Sequence, residues 1–421
     1  MGKSFKNVGS RLILTLAAAL TLVLMTAFPT KAASKPSPIT ELKQIDDSST
    51  SVEVSWSCLG GSDTRYKVEV SEQPSTGYIV VEENAYSTSE YITGLSAGKT
   101  YYVRVTPFVE DDDTDQIIWG DTSAPVKVVT APDKAPATIT HTKSTTDSIT
   151  VNWSAVPGAD TYEVEYYIDS SKARKCVTTK TGVTLKKLAK NETYTIYVTA
   201  GRRYADGTTT AWSDNDLYKW GIPVKPSKVS GVDVTHYWQN LSEICVENSR
   251  IGCADGYQYQ LYTAYKDKDS KIKTVTTSSA YTYIKTSALK KHNFYKVKVR
   301  AYALNSKNEK MYGGWSSWKY VSPQPDVTSK KHTQKGIKIN WDKINGADRY
   351  VVYVSTKKDS GYKKFQTTAK NSATITKYGK NKLKSGKTYY FYIAPQKKVS
   401  NKYVSGLAGN ANYCWKLKYK K

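Results

Sequence analysis

The chain has 421 residues, a formal net charge of +25, 24% charged residues and 12% aromatic residues, with 34 Tyr among them. This apolar and aromatic content excludes an acidic disordered chain and is sufficient for several small cores. Most basic residues are Lys, whose point charge suits anionic surfaces better than sites that need the bidentate guanidinium of Arg, so sequence-specific nucleic-acid recognition is not expected.

Residues 1–33 are predicted to be a secretory signal peptide. Basic residues precede the apolar run 12–28, and the small residues Ala32 and Ala33 follow it, which is the order typical of such a signal. The alternative is an uncleaved N-terminal anchor, since the run approaches the length of a membrane span. No later apolar run is that long, so the mature chain is expected to be extracellular, either secreted or associated with the cell surface, and to have no transmembrane helix.

A segment of related sequence occurs four times after the signal. Each copy has Leu, then Tyr six residues later, then β-branched or aromatic residues eight and ten later; the copies begin at Leu95, Leu188, Leu289 and Leu383. The spacing of the copies is the length of one small all-β domain. The four tyrosines are Tyr101, Tyr194, Tyr295 and Tyr389.

A pair of alternating strands joined by a Gly- or Asp-containing turn precedes each Tyr. The first strand of the pair carries Trp56, Trp153 or Trp341, and Val246 takes this place in the third copy. Strict alternation places the apolar residues on one face, as in a half-buried antiparallel sheet. No segment after residue 33 has a convincing helical period.

The Trp on an early strand and the Tyr six residues after a Leu resemble the fibronectin type III family. This resemblance implies an all-β chain of four tandem immunoglobulin-like β-sandwiches, in which the Tyr hydroxyl returns to nearby backbone. It implies no single function, because the family serves as spacer, adhesin and enzyme appendage.

The boundaries are predicted where prolines cluster, and each sandwich is expected to have a separate core. The predicted domains are 34–131 (domain 1), 132–224 (domain 2), 225–322 (domain 3) and 323–421 (domain 4).

No catalytic, cofactor-binding or metal-binding residue is predicted, so the chain is interpreted as a non-enzyme without cofactors. The four histidines, His141, His236, His292 and His332, have no spacing that suits a metal or a nucleophile–base pair. The acidic run 110–115 lacks the Gly and closing Glu of a calcium loop and is interpreted as a solvated loop.

The five cysteines are too few and too scattered for a disulfide framework. Cys245 and Cys253 are close in sequence, which leaves two alternatives, a local disulfide between them or two free thiols. Cys58, Cys176 and Cys414 are interpreted as small buried hydrophobic residues.

Net charge rises along the chain, with −9, +2, +9 and +19 in domains 1 to 4. The value in domain 4 exceeds what solubility needs. We therefore expect domain 4 to dock on an anionic surface, a cell-wall polymer or an acidic lipid, through Lys357, Lys358, Lys363, Lys364, Lys397, Lys398, Lys416, Lys418 and Lys420.

Three alternatives stay open for these surfaces. The lysines can serve as edge protection, the −9 and +19 domains can pair head to tail in a filament, and exposed aromatic side chains can bind polysaccharide or other proteins. For Trp119, Trp212 and Trp315 a packing role is expected, with stacked cations from Arg104, Lys298 and Arg300.

Overall fold

The computed structural model describes residues 34–112, 114–169, 171–238, 242–266, 268–408 and 414–420. The predicted signal peptide, residues 1–33, lies outside the described residues. Within them the chain forms strands, turns and loops but no helix, which confirms the predicted all-β fold class. It follows that no described segment is a helix long and apolar enough for a membrane crossing.

The strands are short and follow one another along the chain. Domain 1 contains β1 (Thr40–Asp47), β2 (Val52–Ser57), β3 (Arg65–Ser71), β4 (Ile79–Ala85), β5 (Ser89–Ile92), β6 (Thr100–Asp111), β7 (Gln116–Trp119) and β8 (Val126–Val129). Domain 2 contains β9 (Ile139–Ser144), β10 (Ile149–Trp153), β11 (Thr161–Tyr167), β12 (Arg174–Thr178), β13 (Gly182–Leu185), β14 (Thr193–Arg203) and β15 (Thr210–Pro223).

The same succession continues through the C-terminal half. Domain 3 contains β16 (Asp233–Trp238), β17 (Glu243–Glu247), β18 (Gly256–Thr263), β19 (Lys271–Thr277), β20 (Tyr281–Lys285), β21 (Tyr295–Leu304), β22 (Lys310–Tyr312) and β23 (Lys319–Val321). Domain 4 contains β24 (Val327–Thr333), β25 (Gly336–Trp341), β26 (Arg349–Ser355), β27 (Lys363–Thr368), β28 (Ser372–Ile375), β29 (Lys377–Tyr378), β30 (Asn381–Lys382), β31 (Thr388–Val399), β32 (Lys402–Ser405) and β33 (Trp415–Lys418).

Each domain pairs a three-stranded sheet with a larger one. The small sheets have the orders β1-β2-β5, β13-β10-β9, β16-β17-β20 and β24-β25-β28. The larger sheets have the orders β4-β3-β6-β7, β12-β11-β14-β15, β19-β18-β21-β22 and β27-β26-β31-β32, with β8, β23 and β33 also paired to β6, β21 and β31. Non-consecutive neighbours in both sheets are what Greek-key β-sandwiches require.

The recurrent tryptophans lie in the cores, as alternation predicts for one face of a strand. Trp56, Trp153 and Trp341 are buried, and each packs edge-on against a Tyr of the next strand. Edge-to-face pairs of this kind add stability beyond the area that they bury. The core of domain 3 has a different composition, and the register of its small sheet corrects the expectation for Val246. The Asn248 N–H donates to the neighbouring strand at the step where the Trp153 and Trp341 N–H groups do, so Asn248 stands at the Trp position and Val246 lies two residues before it. Val246 and Tyr259 are both fully buried.

The corner tyrosines are also buried, and in three domains the hydroxyl bonds to backbone five residues earlier. Tyr194, Tyr295 and Tyr389 accept hydrogen bonds from the N–H groups of Ala189, Lys290 and Lys384, at 2.7, 2.8 and 2.9 Å. Tyr101 is 6% exposed in domain 1. A second series was not foreseen from the sequence: Tyr162, Tyr257 and Tyr350 accept from the N–H groups of Val156, Ile251 and Ile344.

The described chain divides into two compact units. One comprises the residues up to Ile45 with Glu53–Ile92 and Tyr101–Val128, and the other comprises Asp46–Val52, Thr93–Thr100 and the chain from Val129 onward. Most of domain 1 thus forms one unit, and domains 2 to 4 lie in the other. The predicted domain boundaries stay predictions.

Domains 2 to 4 share side chains between their cores, which differs from the separate cores expected from the sequence. Ala264 and Phe294 of domain 3 belong to the core of domain 4, and Ala408 of domain 4 belongs to the core of domain 3. Cys253 of domain 3 belongs to the core of domain 2. The reason is that the loops at the ends of adjacent sandwiches carry apolar side chains, and these side chains pack into the core of the neighbouring domain.

Candidate functional site: the basic surface of domain 4

Three of the nine predicted lysines lie on the outer face of the larger sheet of domain 4. Lys416 and Lys418 on β33 lie opposite Tyr390 and Thr388 of β31. Lys364 on β27 lies opposite Tyr353 of β26, which in turn lies opposite Tyr392. Residues directly opposite one another share a face of the sheet. We call this surface the Tyr–Lys face, defined by Tyr353, Tyr390, Tyr392, Lys364, Lys416 and Lys418.

Stacked tyrosines occupy the middle of the Tyr–Lys face. The rings of Tyr353 and Tyr392 stack with centroids 4.7 Å apart, and the ring of Tyr362 lies 4.9 Å from that of Tyr392. Burial raises the pKa of Tyr362 and of Tyr392. A phenol with the ordinary pKa of about 10 is already neutral at pH 7, and the raised pKa values keep these two neutral at higher pH as well, so they add no negative charge beside the lysines.

Three further lysines lie near Lys364, at the end of the larger sheet where β26 turns into β27. Lys357 and Lys358 are exposed in the turn between β26 and β27, and Lys363 is exposed at the start of β27. The carbonyl of Lys358 accepts hydrogen bonds from the Tyr362 hydroxyl, at 2.6 Å, and from the Cys414 thiol, at 3.7 Å. The turn is thereby held beside the residue that precedes β33.

The remaining three predicted lysines lie elsewhere in domain 4. Lys397 and Lys398 pair with Val404 and Tyr403 in the β31–β32 hairpin, at the end of the sheet near Gly346, whose carbonyl accepts from Lys397 Nζ at 3.4 Å. The Lys420 N–H donates to His332 Nδ1, beside the small sheet. The two ends of the 12-residue strand β31 are about 36 Å apart, from a rise of ~3.3 Å per residue.

The carboxylates of domain 4 are concentrated at its junction with domain 3. Asp326 and Asp342 lie near His292, and Asp348 accepts a hydrogen bond from the Lys398 N–H. Asp359 is the remaining carboxylate, in the turn beside Lys358. Among the described residues, none of the nine predicted lysines forms an ion pair with a carboxylate.

A cation–aromatic ladder forms in domain 3 and only in part elsewhere. Lys298 and Arg300 lie 4.4 and 4.5 Å from the ring of Trp315, as expected from the sequence. In domain 1 the expectation is wrong, because Lys67 lies over Trp119 and Arg104 stacks on Tyr78 instead. The cations cover Trp315, which favours the packing role over a sugar platform.

Cys245 and Cys253 are free thiols, so the disulfide alternative is corrected. Cys245 lies on β17 opposite Tyr283, whereas Cys253 is 3% exposed and packs into the core of domain 2. Burial raises the pKa of the Cys253 thiol to about 12. The loop after β17 reaches into the neighbouring sandwich, which proximity in sequence does not reveal.

Two acidic features have different outcomes. In the run 110–115 the Asp111 carboxylate accepts hydrogen bonds from the N–H and the hydroxyl of Thr114, and these bonds stabilise the turn between β6 and β7. Position 113 lies outside the described residues. No metal ligand was predicted from the sequence, yet the fold brings His292, Asp326 and Asp342 together. These three residues have no motif spacing, and sequence reasoning missed them because they meet only through tertiary structure.

Comparison with known proteins supports the domain type in the N-terminal half. Residues 36–126 and 134–216 match the family model described as Fibronectin type III domain, so fibronectin type III domains occur in tandem over these residues. The chicken CNTN1 FN1-FN3 domains are similar at 16% identity, with 68% of this chain and 99% of that chain covered and a TM-score of 0.27. A two-domain fibronectin type III segment of chicken tenascin has 20% identity, 44% and 98% coverage and a TM-score of 0.24.

Proposed function

We propose that this chain is a non-enzymatic binding and spacer protein, secreted or held at the cell surface, whose domain 4 docks on an anionic cell-wall polymer. The Tyr–Lys face and the adjoining Lys357, Lys358 and Lys363 form the docking surface. The observation that carries the proposal is that these lysines have no carboxylate partner among the described residues, so their charge is available to an external anion.

The physical basis is short-range electrostatics. Each Lys close to an anionic surface contributes about 1 kcal/mol, and the attraction decays within a Debye length of ~8 Å at physiological salt. Only charges on the docking surface itself therefore count. Stacked neutral tyrosines between the lysines supply flat apolar contact area, which an extended polymer can cover.

A second candidate function, polysaccharide binding, is favoured by domain 2. On β15, Trp220 is 77% exposed and Tyr218 is 57% exposed. Tyr218 stacks on Tyr197 with centroids 5.4 Å apart, and Tyr197 stacks on Tyr167 at 6.0 Å. A flat aromatic strip of this kind suits sugar rings, and binding there needs no lysine.

The test compares two triple variants of the mature chain, residues 34–421. One carries Lys364→Gln, Lys416→Gln and Lys418→Gln, and the matched control carries Lys397→Gln, Lys398→Gln and Lys420→Gln. Binding to poly(glycerol phosphate), to vesicles containing anionic phospholipid and to a neutral glycan is measured between 50 and 500 mM salt.

We expect wild-type binding to poly(glycerol phosphate) to weaken steeply with salt. The first triple variant should lose roughly 100-fold in affinity, at about 1 kcal/mol per Lys, and the control should lose much less. Equal losses in both variants, or retention unchanged by salt, would refute the docking surface. Vesicle binding without polymer binding would identify a lipid surface instead, and glycan binding abolished by Trp220→Ala would support the second candidate.

Self-assembly is a separate outcome. If the acidic domain 1 of one chain bound the basic domain 4 of another, the mass would rise with concentration and fall in high salt. Light scattering of the same wild-type samples measures this, and it needs no added polymer.

A further inference from the structure

Three metal-ligating side chains from separate segments meet where domains 3 and 4 join. His292 lies between β20 and β21, Asp326 immediately precedes β24, and Asp342 immediately follows β25. His292 Nε2 is 3.3 Å from Asp342 Oδ2 and 3.6 Å from Asp326 Oδ2. All three ligand atoms lie within 4.8 Å of one another.

Backbone hydrogen bonds hold this arrangement in place before any ligand binds. The Asp342 N–H donates to the carbonyl of Asp326 at 2.9 Å, which fixes the two carboxylates side by side. The Asn345 N–H donates to the carbonyl of His292 at 2.7 Å, and the Asn345 side-chain amide donates to Asn293 at 2.9 Å. Each partner in the triad is thus fixed across the junction, which lowers the cost of assembling a binding site.

The ring nitrogen at the centre of the group is enclosed but has no hydrogen-bond partner among the described residues. His292 Nε2 is buried as an atom, although the side chain is 28% exposed, and neither carboxylate oxygen meets hydrogen-bond geometry with it. His292 has a left-handed backbone, with φ of 69°. A buried polar atom without a partner is costly, and this one faces two carboxylate oxygens, so a cation bound between the three atoms would satisfy all of them.

We propose that His292, Asp326 and Asp342 form a binding site for a divalent transition-metal ion, Zn²⁺ in particular, that clips domain 3 to domain 4. Zinc binds His nitrogen at ~2.0–2.1 Å and carboxylate oxygen at ~2.0–2.2 Å, so neighbouring ligands in a tetrahedron are about 3.3–3.5 Å apart. The two separations from Nε2 come close to this. The imidazole disfavours Ca²⁺ and Mg²⁺, which take oxygen ligands.

Two features complete the chemistry. Two carboxylates and a neutral imidazole balance the charge of one divalent ion, and a fourth position stays open for water. Lys291 Nζ lies 3.4 Å from Asp326 Oδ2, but its side chain is 60% exposed and can turn into solvent when the ion binds.

The experiment titrates Zn²⁺ into the chelator-stripped mature chain and into His292→Gln and Asp342→Asn variants. Matched controls are His332→Gln and Asp359→Asn, which remove one exposed His and one exposed Asp of domain 4. Affinity and stoichiometry are measured by competition with a chromophoric chelator, and Co²⁺ serves as a spectroscopic probe of geometry. Thermal unfolding of each metal-free variant verifies that it is folded.

We expect one high-affinity Zn²⁺ per chain, a loss of 100-fold or more in both site variants, unchanged affinity in both controls and intense visible Co²⁺ absorption typical of four-coordination. Nitrogen NMR of wild type should show Zn²⁺ shifting His292 Nε2, a readout that does not depend on the variants folding. An ion pair only is the opposing outcome: no stoichiometric Zn²⁺ at 100 µM, binding unaffected by His292→Gln, or no shift at Nε2 each overturns the proposal.

Discussion

The hydroxyl of the fully buried Tyr259 donates a hydrogen bond of 2.6 Å to Oδ1 of Asn248. Tyr259 stands at the strand position that Val68, Val164 and Val352 hold in the other domains. Asn248 itself stands where domains 2 and 4 have Trp153 and Trp341, since all three N–H groups bond to the neighbouring strand at the same step of the register. In domain 3 the large aromatic ring therefore lies on β18 and not at the end of β17. The Tyr259 hydroxyl needs a polar partner, which the Val of the other domains at this position does not.

Replacing Tyr259 should therefore destabilise domain 3 in two steps. Tyr259→Phe loses the bond to Asn248 and should cost about 1 kcal/mol. Tyr259→Val also leaves a cavity and should cost about 3–5 kcal/mol, although Val is the residue that the other domains carry. Urea unfolding of residues 34–421 measures both, with Tyr281→Phe as an exposed control. A neutral Tyr259→Val would contradict the exchange of ring positions.

The corner hydroxyls should each contribute measurably to stability. Tyr194→Phe removes the acceptor for the Ala189 N–H and should lower the unfolding free energy by about 1–2 kcal/mol, since the donor loses its partner. Tyr218→Phe is the matched control in the same domain, because that side chain is 57% exposed. Equal urea midpoints for the two variants would show that the corner bond contributes nothing.

Phe294 should stabilise a domain other than its own. Its side chain is 0% exposed and packs in the core of domain 4, so Phe294→Ala should cost about 3–5 kcal/mol there. Hydrogen exchange with mass spectrometry should show faster exchange in β25 and β26, more than in the strands of domain 3. Loss of protection confined to domain 3 would contradict the shared core.

Stability should fall in mild acid because of His141. This ring is 1% exposed, Nε2 lies 2.6 Å from the Ser144 hydroxyl, and burial together with the charge of Lys219 lowers the His141 pKa to about 4. Between pH ~6.5, the ordinary value, and pH 4, the unfolded chain binds a proton that the folded chain does not. Stability therefore declines as pH falls through this window and is unaffected by this group above pH 7.

The check is a pair of stability profiles from pH 7.5 to pH 4. His141→Gln should flatten the decline, whereas His332→Gln, an exposed His, should leave it as in wild type. If both profiles matched wild type, the acid sensitivity would arise from other groups.

Thiol labelling should distinguish the cysteines. Cys253 is buried with its pKa raised to about 12, so the reactive thiolate is scarce and shielded. Under native, non-reducing conditions Cys253 should resist iodoacetamide while the partly exposed Cys414 reacts, and denaturation should expose both Cys245 and Cys253 as free thiols. A peptide mass corresponding to a Cys245–Cys253 disulfide would refute this prediction.

Local signals predicted the framework well. Alternation around Trp56, Trp153 and Trp341 depends only on the two-residue period of a strand, and the Leu-to-Tyr spacing depends on one corner, so both are visible in a short window. The predicted set of lysines stays a prediction. The sequence shows how many charges domain 4 carries, whereas the length of β31 separates Lys397 and Lys398 from Lys364 and Lys416, and a distance of this kind is visible only in the structure.

The amino-acid sequence by itself determined the all-β class, the fourfold repeat and the accumulation of positive charge toward the C-terminus, since these follow from periodicity and composition. Only the tertiary structure decided that Phe294 and Cys253 fill neighbouring cores, and that His292 meets Asp326 and Asp342. The physical reason is that such contacts join residues far apart along the chain, and the packing of one sandwich against the next creates them.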